Sequence, residues 1–253
     1  MNLWKYRLAQ LVSKTQILPS SDNHQMRRVL MYHSVTQIDN KTTKTSDTYS
    51  LSEDYFRKHV NLLAQQNNSG QRLVVPLHST NPGGVSITFD DGYKDTFTIA
   101  AQLLCQHNFS FHVFVTPTNI LSGDDKYLTR EDLIALSDMP GATIGAHGFS
   151  HQHLTALSSA EIEKELKSSK NWLEDVTGKT ITTMSYPHGA FNLQIEEIAA
   201  AVGYLYAATS NWGTYNVGKN PLQIPRIDVW NLDNEKSLKQ KLDGNWDWMR
   251  RFI

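Results

Sequence analysis

The eight residues Val85-Ser86-Ile87-Thr88-Phe89-Asp90-Asp91-Gly92 decide how this chain folds. Their first five are mostly β-branched or aromatic, the composition of a buried strand, and Asp90-Asp91-Gly92 then breaks that strand in a turn. Beyond the turn, residues 96–107 are predicted helical and Phe111–Val115 reads as the next strand, which makes the segment a βαβ unit. Working towards the N-terminus, residues 73–75 read as a short strand. Before them a helix capped by Ser52 carries Phe56, Val60 and Leu63 at helical spacing. Residues 37–50 form a long polar loop, of a length that often serves function, and residues 29–33 form the first strand. Towards the C-terminus, Thr129 with Asp132 resembles a capping box opening a helix that ends near Gly141, and Ala142–Ala146 is a strand. Ser158 with Glu161 opens a further helix, whose Ile162, Leu166, Ser169, Leu173 and Val176 share one face and which Gly178 stops. A strand at 181–186, a helix at about 192–203 and strands at 204–209 and 224–230 complete the pattern. Strands alternating with helices predict an α/β fold with a parallel sheet, and seven or eight strands suit a (β/α) barrel. The expected organisation is an N-terminal helix and lead-in over residues 1–26, then one domain over 27–253.

Composition narrows the class. The 253 residues are 40% hydrophobic and include 25 aromatic residues, enough for a packed core and against disorder. Lys and Arg number 24 against 25 Asp and Glu, so the basic surplus of a nucleic-acid partner is missing. Cys105 is the single cysteine, which excludes an internal disulfide; beside Leu103 and Leu104 it reads as a buried thiol. No stretch approaches the ~18 apolar residues of a membrane span. Residues 3–12 place Trp4, Leu8, Leu11 and Val12 on one helical face opposite basic residues. That pattern suits a terminal helix packed on the domain, with a helix lying on a membrane surface as the alternative. Gln10, Ser13 and Lys14 interrupt any signal-peptide core, so a cytoplasmic location, with peripheral membrane attachment as its variant, is expected.

Ionisable residues fall at strand ends. His33 ends the first strand, Asp90-Asp91 the Val85–Phe89 strand, and His147 follows Ala142–Ala146. Pro187-His188-Gly189 ends the 181–186 strand, and Arg226 and Asp228 lie on the last. In a parallel barrel the carboxyl ends of strands converge on one rim, where sites form. His147-Gly-Phe-Ser-His151 would put two imidazoles on one side of a helical turn, as two ligands of one metal require; alone, the pair equally suits two solvated loop histidines. With a carboxylate from Asp90-Asp91 the set becomes two imidazoles and one acid, a common catalytic metal set that leaves positions open. Adjacent acids repel, which is tolerable where one binds a cation and the other acts as a base.

Thr88-Phe-Asp-Asp-Gly92 followed by His147-x-x-x-His151 resembles the NodB-homology polysaccharide deacetylases, carbohydrate esterase family four. Phe111–Val115, Leu154 and Ser185-Tyr-Pro-His-Gly189 extend the resemblance across about residues 27–230. It implies a distorted (β/α) barrel of about seven strands. It implies Asp90 as general base and Asp91, His147 and His151 as ligands of one divalent metal: zinc, or alternatively nickel, cobalt or ferrous iron. It also implies an oxyanion site at a backbone N–H near His188, within the Tyr186-Pro187-His188 turn. Tyr93, just after the acidic turn, is the expected sugar contact. The implied activity is metal-dependent hydrolysis of N-acetyl groups on amino sugars of a polysaccharide or its biosynthetic intermediate. The alternatives are an O-acetyl esterase and a non-catalytic carbohydrate-binding relative. A two-carboxylate glycosidase is disfavoured, because its acids flank a sugar instead of adjoining in sequence.

Two departures from the family pattern stand out. Ser185 occupies the place where many members carry a base-orienting Arg, leaving Arg226 or Lys170 to fill the role. No histidine follows His188, so the usual C-terminal acid is absent. The arrangement resembles the permuted subgroup that deacetylates poly-N-acetylglucosamine, whose acid histidine comes from an N-terminal Tyr-His. Here that is Tyr32-His33, with Asp228 expected to orient it, and the donor is expected to be largely protonated near neutral pH. His107, His112 and His153 read as ordinary core or surface residues, and Trp212, Trp230, Trp246 and Trp248 mainly as packing.

Overall fold

A computed structural model describes residues 6, 10, 11, 26–37 and 47–251. In chain order, β1 (Arg28–Tyr32) leads to a small parallel pair, β2 (Ser34–Thr36) and β3 (Ser50–Ser52), then α1 (Glu53–Asn68) and β4 (Val85–Phe89). A π-helical stretch, Thr96–Ala101, runs into α2 (Gln102–Gln106), followed by β5 (Phe111–Val115), α3 (Pro117–Leu121), α4 (Arg130–Ser137) and β6 (Ala142–Ala146). The remainder is α5 (Ser159–Thr177), β7 (Thr183–Ser185), α6 (Leu193–Val202), β8 (Tyr206–Trp212), β9 (Ile224–Asp228) and α7 (Glu235–Leu242). Seven strands close a parallel barrel in the order β1-β4-β5-β6-β7-β8-β9, and β9 returns to β1 through Leu30↔Ile227 and Met31↔Asp228. The (β/α) barrel read from the sequence is therefore the fold.

Barrel strands are covered on both faces, so β1, β4 and β5 are buried at every position. The helices begin and end where local chemistry dictates. Ser52 Oγ accepts the Tyr55 N–H at 3.3 Å, and both expected capping boxes, Thr129–Asp132 and Ser158–Glu161, are formed. Gly178 stops α5 in the left-handed region at φ 66°, and all five residues of its expected inner face are buried.

The structure corrects several expectations. Residues 73–75 are no strand: Val74 makes only an isolated bridge to Val85, because β1 and, from Ile87 onward, β5 occupy the two sides of β4. The 181–186 strand shrinks to Thr183–Ser185, and the 204–209 strand is displaced to Tyr206–Trp212. Cys105 is half-buried, its Sγ 3.3 Å from the Pro140 carbonyl, because α2 turns that side towards the surface. The expected helix at 3–12 lies mostly outside the described residues. Tyr6, which is described, is buried between Trp230 and Trp246, its hydroxyl 2.8 Å from the Leu232 carbonyl. Trp212, Trp230 and Trp246 are buried packing, as read. Among the described residues no helix is long and apolar enough to cross a membrane.

Candidate active site

The barrel delivers His33, Asp91, Tyr93, His147, His151, His188 and Arg226 to one rim. Asp91 leaves β4, His147 leaves β6, and His151 returns beside it. His147 Nε2 and His151 Nε2 are 3.2 Å apart and lie 3.5 and 3.3 Å from Asp91 Oδ1. A tetrahedral ion with bonds of about 2.0–2.2 Å separates its ligands by roughly 3.3–3.6 Å, so the triangle has the dimensions of one such centre. Asp91 Oδ1 is buried without a hydrogen-bond partner, an oxygen whose missing partner a cation would supply. His147 Nδ1–H donates to the Ser185 carbonyl at 2.9 Å, which fixes the tautomer that turns the Nε2 lone pair inward. Burial, with His147 alongside, pushes His151 down to about 4 and keeps its imidazole neutral. These residues fit a divalent metal.

The histidine pair does not ride on a helical turn. His151 has φ 58° and the segment between the two is irregular. Glu165 on α5 holds it, accepting the Phe149 and Ser150 N–H groups at 3.0 and 2.9 Å and the Ser150 hydroxyl at 2.7 Å. Thr116 donates to the His147 carbonyl and Asn119 to the Asp91 carbonyl, at 2.9 and 3.0 Å. Four non-glycine residues among those described have positive φ, and three of them, Asp91, His151 and His188, stand in this site. Left-handed backbone at residues with a Cβ costs energy and concentrates where surrounding structure enforces it.

Asp90 lies under the triangle, fully buried. Arg226 from β9 reaches across the barrel and grips it in a bidentate pair, Nη1 to Oδ1 and Nη2 to Oδ2, both 2.7 Å. Nη2 also donates to Ser185 Oγ at 2.7 Å, and the Ser185 hydroxyl donates to Asp90 at 3.2 Å. Burial alone would raise the Asp90 carboxyl, but Arg226, then His147 and His33, outweigh it and hold the carboxyl well below the usual carboxylate range. Lys170 is elsewhere, paired with Glu174 at 2.9 Å and with the Ile181 carbonyl.

His33, at the end of β1, faces the same cavity, of about 370 Å³, together with Asp91, Tyr93, His147, His151 and His188. The Tyr49 ring covers it at 4.4 Å between centroids. Among the described residues no hydrogen bond joins His33 to Asp228; His33 Nδ1 and Asp228 Oδ1 are both buried and unpaired. Burial lowers the His33 pKa, and the opposing fields of Asp90 and Asp91 do not offset it, so in this state its imidazole is less readily protonated than expected. Burial pushes Asp228 up to about 6.

The 185–189 segment divides. His188 and Gly189 line the cavity, whereas Pro187 is buried and the Tyr186 side chain packs on Phe191 at 5.0 Å with its hydroxyl on the Leu222 carbonyl. Tyr186 and Pro187 do not line the cavity. Gly189, φ 65°, must lack a side chain, since a Cβ would collide with Ser210 Oγ. His153, read as an ordinary histidine, stacks on His188 at 3.7 Å. Sequence reasoning also missed Tyr49, Ser210 and Glu165. Tyr49 and Ser210 enter from a loop and a late strand position without a motif, and Glu165 resembles any exposed helix acid.

Comparison with known proteins identifies the family. The family described as "Polysaccharide deacetylase" matches residues 78–207. YxkH of Bacillus subtilis is 23% identical over 210 residues, covering 79% of this chain and 70% of its own length. The peptidoglycan-N-acetylglucosamine deacetylase PgdA of Listeria monocytogenes is 30% identical over 146 residues, 57% of this chain but 30% of that protein. Among solved structures, the Streptococcus pyogenes deacetylase PplD in complex with acetate superposes with a TM-score of 0.73 at 20% identity, covering 86% of this chain and 98% of that one. That likeness concerns the fold.

Proposed function

Because the chain belongs to the polysaccharide deacetylase family, we propose that it is a metal-dependent hydrolase that removes N-acetyl groups from amino sugars of a glycan. The observation that carries this reading is the juxtaposition of an ionised, Arg-clamped Asp90 with a metal-sized triangle of Asp91, His147 and His151. The donor set suits zinc, with nickel, cobalt or ferrous iron as alternatives. A divalent ion held there would polarise the acetyl carbonyl and make water beside it more acidic.

The chain's own residues supply the rest. Asp90, locked by Arg226, Ser185 and the barrel wall, takes the proton from the attacking water, and its fixed position spares reorganisation at the moment of reaction. His33, on the other side of the cavity, takes up a proton from solvent as the adduct forms and passes it to the departing amine nitrogen, while the proton held by Asp90 returns to solvent. Burial keeps its imidazole neutral at rest, and negative charge developing on the tetrahedral adduct raises its proton affinity as the bond breaks. Asp228, two residues beyond Arg226 on β9 and likewise with an unpaired buried oxygen, is the candidate to orient His33 once that proton is taken up. Tyr93 gives the sugar an amphipathic ring to lie against. The family match stops at residue 207, yet β1–β9 pairing brings His33, Arg226 and Asp228 to the matched half of the site. That placement supports the permuted, poly-N-acetylglucosamine-type arrangement.

The test is acetate release from N-acetylated oligosaccharides by metal-loaded and chelated protein. Release that stops on chelation, returns with zinc and is absent in His147→Ala is the expected result. Release that survives complete removal of metal overturns the reading, and release from O-acetylated glycans alone replaces it with an esterase.

A further inference from the structure

His33 is the single residue between two strands that belong to different sheets. β1 lies in the barrel, and beyond it the Tyr32 carbonyl still accepts the Asp90 N–H at 3.0 Å. β2 has left the barrel for a separate two-stranded sheet with β3, in the register Ser34↔Ser50, Val35↔Leu51 and Thr36↔Ser52. That register sets residue 33 beside residue 49, and the Tyr49 ring accordingly lies over the His33 imidazole. His33 Nδ1 is buried without a partner, so the place of the ring is set by its backbone and by Tyr49. Both depend on how firmly the small sheet is held against the barrel.

One side chain ties the two together. Asp95 follows the Asp90-Asp91-Gly92 turn, and the Ser34 hydroxyl donates to its Oδ2 at 2.5 Å, the length of a charge-assisted bond. Ser34 is buried and Asp95 half-buried. Asp95 opens the π-helical stretch Thr96–Ala101, yet its side chain makes no cap bond to that helix and is turned to β2 instead. Burial raises its carboxyl, while the Ser34 hydroxyl and the Val35 and Thr96 N–H groups favour its anion. Both residues that follow His33 therefore bear on one carboxylate, and that carboxylate sits on the segment that leaves β4 with the base. Asp95 itself does not line the cavity.

We propose that Asp95 is a positioning residue for the proton donor: by holding Ser34 it fastens the β2–β3 pair to the base-bearing segment and keeps His33 over the cavity. This rests on the deacetylase reading above, with His33 as donor. It gives the small sheet a task, since acid and base then keep one separation on either side of the acetyl group. A misplacement of about 1 Å at such a distance costs up to ~10² in rate.

The experiment compares two leaving groups on the zinc-loaded protein. An N-acetylglucosamine oligomer must have its amine protonated to depart, whereas the phenolate of para-nitrophenyl acetate departs unaided. Asp95→Ala and Ser34→Ala remove the bond from either side, so one serves should the other fail to fold. Each should lower kcat on the oligomer about 10–100-fold with KM little changed, and spare ester turnover and zinc content. Asp95→Asn, whose amide oxygen still accepts the hydroxyl, should recover most of the rate. An equal loss on both substrates, or no loss on the oligomer, overturns the proposal. The ring C–H resonances of His33, identified by their disappearance in His33→Gln, give a readout that needs no turnover. They should move in Asp95→Ala and Ser34→Ala, and unmoved resonances overturn the proposal. Should they move while wild type releases no acetate from the oligomer, the tether stands and the deacetylase reading falls instead.

Discussion

Asp90 and Asp91 are neighbours in the chain with opposite electrostatic tasks. Asp90 is fixed by two guanidinium bonds and faces no choice of position; Asp91, in left-handed backbone, presents a buried oxygen with no partner. Asp90→Asn should therefore retain metal and lose about 10²–10⁴ in kcat, measured by acetate release beside metal analysis. It also removes the anion from a buried pair, so a stability loss of about 3–5 kcal/mol by denaturant unfolding should accompany it. His33→Ala should keep metal and fold and lose about two orders of magnitude in rate; wild-type turnover would remove His33 from the reaction. The identity of these side chains was readable, because acids and histidines at strand ends converge in any parallel barrel. The positive φ of Asp91, His151 and His188 was not, since it is imposed by contacts from β5, α3, α5 and β8 that no local pattern encodes.

Among the elements, α5 contributes most to the site beyond the strands. Its Glu165 closes the loop between the two histidines with three hydrogen bonds, so the helix sets the spacing of His147 and His151. Glu165→Ala should weaken zinc binding about 10–100-fold, by competition titration, while the barrel stays folded. Tight metal binding in that variant would show the loop to be self-supporting. The start and face of α5 could be read from Ser158, Glu161 and the apolar spacing, because caps and amphipathic periods are local signals. Strand limits were harder. A barrel strand buried on both faces shows no alternation, so β7 and β8 blend into flanking apolar residues, and 73–75 looked like a strand although it meets β4 only at the Val74–Val85 bridge.

At the scale of the whole molecule, two buried imidazoles couple stability to pH. Burial pushes His112 down to about 3, where its Nε2 accepts the Leu77 N–H at 2.9 Å, and pushes His59 down to about 4. A base whose folded pKa is depressed stabilises above its unfolded pKa of about 6.5 and loses that contribution as pH falls towards the folded value. Asp228, pushed up to about 6, acts in the opposite sense, since below pH 6 the folded state binds a proton that the unfolded chain does not. His112→Gln should remove close to 1.4 kcal/mol per pH unit of this dependence between pH 6 and 4, read as the difference from wild type in denaturant unfolding at each pH. Identical slopes would place His112 in contact with water. The closure of β9 on β1, Leu30 against Ile227, has a consequence in time. On the ribosome, β4 and β6 with their Asp91, His147 and His151 emerge well before Arg226 and Asp228. The residues of the metal-sized triangle are thus made before the Arg226 that clamps Asp90, and joining ends so far apart carries a loop-closure cost of about 4–5 kcal/mol that the last strand must overcome. Synthesis of β9 is the moment at which the barrel can close and Asp90 can receive its guanidinium clamp.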